Sequence, residues 1–182
     1  FLAMELRGAA DFTWQGKPVS FAQDLWDKQT VSQAFIQHAG WDPARTFDPD
    51  RFDLDLVTRV EPALPADHPV VLIDYPAPLA ALARRKPADP LRAERWELYL
   101  GGVELANAYS ELTDPAEQRA RFEEANAARV RRGAKPYPPD EAFLAALAQM
   151  PPSGGIALGV DRLLMILADA DSLDGVLPFR NG

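Results

Sequence analysis

The chain has 182 residues, 47% of them hydrophobic and 25% charged, with a formal charge of −8, 17 prolines and no cysteine. That balance suits one ordinary folded core without a disulfide or metal staple, and excludes a disordered or fibrous chain. It also excludes thiolate metal sites and cysteine catalysis, offers no apolar run of about 18 residues to cross a membrane, and is a poor basis for autonomous nucleic-acid binding.

Phe1 to Arg7 reads as the last turns of a helix with Gly8 as its left-handed stop, so the expectation is that the protein begins upstream. Phe12–Gln15 and Pro18–Phe21 around Gly16-Lys17 read as a hairpin. Thr30 caps a helix over Val31–Ala39, closed by Gly40. A charged helix is predicted from Asp48 to Leu64, followed by a short buried strand over Val70–Tyr75. Trp96–Leu100 and Val103–Leu112 read as two strands joined by Gly101-Gly102, a pair that supplies the positive φ of a tight turn.

Asp114 as cap, Pro115 at the first helical position and Glu117 completing a capping-box-like pattern form a strong helix start, and that helix should run to about Arg132. Arg129, Arg131 and Arg132 at its end suit the helix dipole, with docking of an acidic partner as the alternative. Asp140 caps a further helix carrying Phe143, Leu147 and Met150 on one face. Gly154–Gly159 reads as a glycine-flanked strand feeding a helix from Val160 that is apolar nearly all round, hence buried. The class is α+β, an antiparallel sheet with flanking helices.

Chemistry concentrates in three places. Around the Gly101-Gly102 turn, alternation puts Glu97, Tyr99 and Glu104 on one sheet face. Two carboxylates there would suit Mg²⁺ with phosphates completing its shell, or simply face solvent. Asn107, Tyr109 and Glu111 alternate too, but strict parity puts them on the face opposite Glu104. Only a bulge or strong twist near Ala106 would bring both sets into one cleft, where they could bind a cationic amino acid; the alternative is a polar strand edge. Arg162, in the first turn of the last helix, could join the helix N-terminus in holding a phosphate, or pair with Asp161. Gly154, Gly155 and Gly159 would admit a flat ligand close to the backbone, but no Lys-Ser/Thr follows them as a P-loop requires. His38 and His68 read as structural.

Trp96-Glu97-Leu98-Tyr99, with Gly102-Val103-Glu104-Leu105-Ala106-Asn107-Ala108-Tyr109-Ser110-Glu111-Leu112-Thr113-Asp114, resembles the metal-and-lysine segment of class II aminoacyl-tRNA synthetases of the lysyl type. Gly155-Ile156-Ala157-Leu158-Gly159-Val160-Asp161-Arg162-Leu163 resembles their motif 3, and weaker similarity runs from Trp14 through Pro76 to Phe179. Within the family, the Glu104–Asn107 and Glu111–Asp114 stretches and Ala157 look more like the truncated paralogues that ligate (R)-β-lysine to elongation factor P. Lysyl-tRNA synthetases usually carry Gly at the position of Ala157, whose methyl reshapes the pocket beside the amino group.

The resemblance implies the C-terminal part of a class II catalytic fold, using ATP and Mg²⁺ in the cytoplasm. It implies Glu97 and Glu104 as metal ligands at the ATP phosphates, with Gly159 and Arg162 also on ATP and Arg162 on the γ-phosphate. Asn107 would meet the substrate carboxylate, Tyr109 line the pocket, Glu111 hold the side-chain ammonium, and Ala157 shape the substrate site. The partners implied are elongation factor P and lysine or β-lysine. The alternatives are a lysyl-tRNA synthetase core charging tRNA and a non-catalytic synthetase paralogue. Ala108 departs from a common Gly, and Tyr109 from a frequent Phe. Motifs 1 and 2 are absent from residues 1–182, so the expectation is one partial catalytic domain, inactive alone, from an intact protein that dimerises through motif 1.

Overall fold

The computed structural model describes residues 1–179. Helix α1 (Leu2–Arg7) leads to a hairpin, β1 (Asp11–Trp14) and β2 (Lys17–Ser20). Strand β3 (Asp27–Thr30) runs straight into α2 (Val31–Ala39), and α3 (Pro49–Asp55) precedes β4 (Val70–Pro76). Then come β5 (Arg85–Lys86), β6 (Asp89–Leu100), β7 (Val103–Ser110), α4 (Pro115–Arg131), α5 (Glu141–Leu147), β8 (Gly154–Leu158) and α6 (Val160–Leu167). The main sheet has the order β3-β4-β6-β7-β8, with β5 paired to β6. It is antiparallel except for β3 on β4, which are parallel because α2 and α3 form the connection between them. Among the described residues no helix is long and apolar enough to cross a membrane.

Local chemistry explains most boundaries. Thr30 and Gln33 form a reciprocal capping box on α2, and the Asp114 carboxylate accepts from the Ala116 and Glu117 amides at the start of α4. Glu117 does not complete the box there; its carboxylate instead takes Arg85 and Arg121. Strand β3 had no visible signal, since Asp27-Lys28-Gln29-Thr30 carries no apolar alternation. The helix predicted over Asp48–Leu64 is divided. Regular α-helix stops at Asp55, a π turn spans Leu56–Val60, and a 3₁₀ turn spans Glu61–Ala63. Pro62 explains the break, for its ring and missing N–H oppose a continued α ladder.

The two sheet faces carry separate cores. One face packs Val70, Leu72, Tyr75 and Tyr99 under α2, α3 and the π turn, with Phe35 and Phe52 stacked at 4.6 Å. The opposite face packs Leu98, Leu100, Leu105 and Ala106 against the hairpin and against Met165 and Ile166 of α6. Gly101 and Gly102 both take positive φ in the β6–β7 turn. A Cβ on Gly101 would stand 2.3 Å from the Trp14 ring, so that turn also seats the hairpin. Helix α6 is not buried all round as expected. Met165, Ile166 and Leu167 are buried, while Val160 and Leu164 are exposed, because α6 docks by one side only and the preceding β8 is an edge strand. On α5, Leu144 and Leu147 are the buried pair; Phe143 is part exposed and Met150 lies past the helix end.

His68 ties the loop before β4 to β3. Its ring nitrogens lie 2.8 Å from the Asp67 carboxylate and 3.2 Å from that of Asp27 on β3, just ahead of β4. Burial pushes the imidazole pKa down, but the bonds to Asp27 and Asp67 outweigh it and raise the pKa above its ordinary value. The stability contributed is therefore full below the unfolded pKa of about 6.5, and it is lost as pH rises through the raised folded value. The thermal midpoint of the wild type minus that of His68→Gln should be largest near about pH 5–6 and shrink above neutrality. A difference independent of pH would show that folding leaves the His68 pKa unchanged and would overturn the argument.

Candidate functional site

The site lies where the first sheet face leaves the cover of α2 and α3 and opens over β7 and β8. The register places it there. Glu97 faces Asn107 and Arg95 faces Tyr109 across β6–β7; Asn107 faces Ala157 and Tyr109 faces Gly155 across β7–β8. Directly paired residues share a face. Tyr99, however, faces Glu104, and Leu98 faces Ala106, which leaves Leu105 as an extra residue on β7. This is the bulge that parity required. Leu105 and Ala106 both turn into the opposite core, each 2% exposed. Glu97, Tyr99, Glu104, Asn107 and Tyr109 thereby come to one side.

Glu97 is the centre, at 5% exposure. One carboxylate oxygen accepts from the Arg95 guanidinium at 2.6 Å and the Asn107 amide at 2.8 Å. The other accepts from the Tyr99 hydroxyl at 2.7 Å and from the Tyr75 hydroxyl. All four lone-pair directions of the carboxylate are thus used. Arg95 also donates to the Leu79 carbonyl at 2.7 Å and lies 4.6 Å from the Tyr75 ring centroid and 5.8 Å from that of Tyr109. Burial raises the pKa of Tyr75 and Tyr99, reinforced by the Glu97 charge, so both hydroxyls remain donors.

Around this hub stand the other predicted residues. The Arg162 guanidinium donates to the Glu104 carbonyl at 2.9 Å and reaches its carboxylate at 3.5 Å; the Asp161 pairing is not formed. The Gly159 amide donates to the Leu105 carbonyl at 2.8 Å, so both motif residues are fastened to the bulge. The Glu111 carboxylate lies over Gly155, where a Cβ would stand 2.6 Å from its Oε1. Glu111 makes no ion pair among the described residues. Ala157 is exposed and directly opposite Asn107. The structure therefore brings together all eight predicted residues along β6, β7, β8 and the first turn of α6.

Sequence reasoning missed Arg95, Tyr75 and Glu61. Arg95 had a signal, for it stands two residues before Glu97 and so shares its face. Glu61 had none, because it comes into place through the 3₁₀ turn after the π turn. Its carboxylate lies 3.3 Å from the Tyr99 hydroxyl, as the longer branch of the hydrogen bond that Tyr99 gives to Glu97. Burial raises its pKa, and the Glu97 and Glu104 charges add to that, against the Tyr99 hydrogen bond and Arg162.

The donor set fits Mg²⁺ in part. Among the described residues no three acidic or histidine side chains converge as a ready-made metal cage. Mg²⁺ needs only one or two carboxylates when phosphates supply the remainder. Glu104 fits that role, being 35% exposed at the side chain and held only by the 3.5 Å contact to Arg162. Glu97 would join only by exchanging one of its four donors.

The model for the class II tRNA synthetases (D, K and N) matches residues 9–181. The lysine–tRNA ligase of Anaeromyxobacter sp. strain K is 46% identical over 120 residues, 65% of this chain and 23% of that protein. The elongation factor P–(R)-beta-lysine ligase of Edwardsiella ictaluri is 49% identical over 121 residues, 66% of this chain and 37% of the relative. That of Sodalis glossinidius is 41% identical over 179 residues, 86% of this chain and 55% of the relative. The chain thus spans from about a quarter to about half of the curated relatives it matches.

Two substitutions test this geometry. Glu61→Gln removes a carboxylate that resists ionisation, since a raised folded pKa means stability is lost as pH rises through it. The variant should melt higher than wild type at neutral pH, with the gain vanishing below about pH 4, where both side chains are uncharged. A gain that persists in acid would refute the titration argument. Gly155→Ala must displace the Glu111 carboxylate. Calorimetry on the full-length protein should then show affinity for a lysine-like cation falling roughly tenfold, about 1.4 kcal/mol, with the fold retained. Unchanged affinity would show that the space over Gly155 is not used.

Proposed function

Since the chain belongs to the class II tRNA synthetase family of the D, K and N type, we propose that its protein uses ATP to activate lysine or (R)-β-lysine and transfers it to a lysine of elongation factor P. The observation that carries this reading is the extent of the match. Similarity to the elongation factor P–(R)-beta-lysine ligase of Sodalis glossinidius reaches 86% of the chain. A lysyl-tRNA ligase is the second reading, supported by relatives of that name at 46% identity over 65% of the chain.

The residues have distinct tasks in this scheme. Glu111, with no cationic partner of its own among the described residues, pairs with the substrate's side-chain ammonium. Asn107 has one amide hydrogen fixed on Glu97 and offers the other to the substrate carboxylate. Tyr109 is a wall, and the Ala157 methyl opposite Asn107 narrows the space beside the amino group. Arg162, half exposed in the first turn of α6, takes the γ-phosphate of ATP, close to the Gly159 backbone.

The substrate carboxylate attacks the α-phosphorus, the bond from that phosphorus to the α,β-bridging oxygen breaks, and pyrophosphate leaves. The attacking oxygen is already ionised, so the step requires positioning and charge neutralisation rather than a general base. Mg²⁺ at Glu104, with Glu97 after exchange of a donor, would supply part of that neutralisation. The acceptor lysine amine then attacks the acyl carbon, forming an amide, releasing AMP and giving up a proton.

The test offers the full-length protein ATP, Mg²⁺ and labelled (R)-β-lysine or α-lysine, with elongation factor P and tRNA in one tube. Mass spectrometry of the protein and acid gels of the RNA read the products. Label on elongation factor P is expected. Label on tRNA alone would replace this reading with the lysyl-tRNA ligase.

A further inference from the structure

We propose that the end of α4 and the turn after it form a docking platform for an acidic face of a protein, which is the acceptor in the reaction proposed above. The inference rests on that reaction for the partner's identity and on separate observations for the surface.

The first observation is uncompensated charge in an acidic chain. The basic run Arg84-Arg85-Lys86 is neutralised residue by residue, by Glu94, Glu117 and Asp74. Arg119 and Arg121, earlier on α4, pair with Glu141 and Glu117. Arg129, Arg131, Arg132 and Lys135 make no ion pair among the described residues. The helix dipole accounts for some basic preference at a C-terminus, but four cations in seven positions go beyond the few tenths of a kcal/mol it supplies.

The second observation is order without burial. Residues 131–140 are all exposed. Even so, the Asn126 amide clamps Tyr137 from both sides, donating to its carbonyl at 2.8 Å and accepting from its N–H at 2.9 Å. Arg129 donates to the Lys135 carbonyl at 3.2 Å and lies 4.0 Å from the Tyr137 ring centroid. The result is a tyrosine held in place at 65% exposure, between Pro136 and Pro138. Prolines restrict the free chain, so little conformational entropy remains to be lost on binding.

Arginine and tyrosine are the residue types that anchor protein interfaces. An extended nucleic acid fits less well, since its affinity grows with the number of phosphates neutralised, and four cations on a chain of net charge −8 supply few. The platform also has a workable reach. Helix α4 starts four residues after Glu111, and its 17 residues at 1.5 Å rise span about 25 Å. That is close to the width of a small domain, which could be gripped at one end while its lysine enters the site at the other.

The test uses the full-length protein carrying Arg131→Glu with Arg132→Glu, and separately Tyr137→Ala. ATP–pyrophosphate exchange with lysine needs no acceptor and should stay at the wild-type rate, which also reports an intact fold. The KM for elongation factor P should rise about tenfold in the double variant, with kcat little changed and with a weaker dependence on salt. An unchanged KM with normal exchange would overturn the platform while leaving the ligase reading intact. Variants that lose tRNA binding instead would overturn the protein partner in favour of RNA. Should wild type modify no elongation factor P, the ligase reading fails. Direct titration with elongation factor P would then decide the platform: binding weakened by the charge reversal supports it, and equal or absent binding overturns it.

Discussion

The site depends on one extra residue. Leu105 shifts the register of β7 by one between Glu104 and Ala106, and without it Asn107 and Tyr109 would turn away from Glu104. The bulge is held by hydrophobic burial, since Leu105 and Ala106 both enter the core beneath the sheet. It is held again by hydrogen bonding. A bulge frees carbonyls from the ladder, and here those of Glu104 and Leu105 are taken up by Arg162 and the Gly159 amide. The irregularity that aligns the pocket thus also positions the start of α6, which ties the two sequence motifs together mechanically.

Glu97 shows what burial of a charge demands. A carboxylate at this depth is tolerable only with its lone pairs filled, and four donors from β4, β6 and β7 fill them. Removing one partner of a buried pair such as Arg95–Glu97 typically costs about 3–5 kcal/mol, most of it the penalty of the charge left behind. The arrangement also fixes rotamers. Asn107 has its amide orientation set by Glu97, and Tyr109 lies beneath the Arg95 guanidinium. Glu97 therefore orders its neighbours whatever else it binds.

Most of this was legible where local chemistry decides structure. The cap at Thr30, the cap at Asp114 and the Gly101-Gly102 turn each act within four residues, and each stands where it was expected; the box at Thr30 was not foreseen. Alternation found the candidate residues on β6 and β7 and showed that they could not meet without a bulge. What sequence could not supply came from distance. Strand β3 exists because β4 offers it a parallel edge, and polar Asp27–Thr30 gives no hint of that. Glu61 reaches Tyr99 only because Pro62 forces the helix to widen and turn. The exposure of α6 follows from β8 being the last strand of the sheet, which depends on topology rather than on the apolar count of Val160–Leu167.

The charges on this face then define what it can receive. Glu97 is neutralised by Arg95, and Glu104 is partly neutralised by Arg162. Glu61 is driven toward its neutral form by burial. Glu111, half-buried, has neither a cation nor a side-chain hydrogen bond among the described residues, and it lies over the glycine of an exposed strand, where a side chain would have filled the space. An ammonium arriving there gains a Coulombic partner without displacing an internal one, whereas at Glu97 it would have to compete with a guanidinium. In the proposed reaction, selectivity for a cationic amino acid is therefore set less by the number of acidic residues than by which one the fold leaves unpaired.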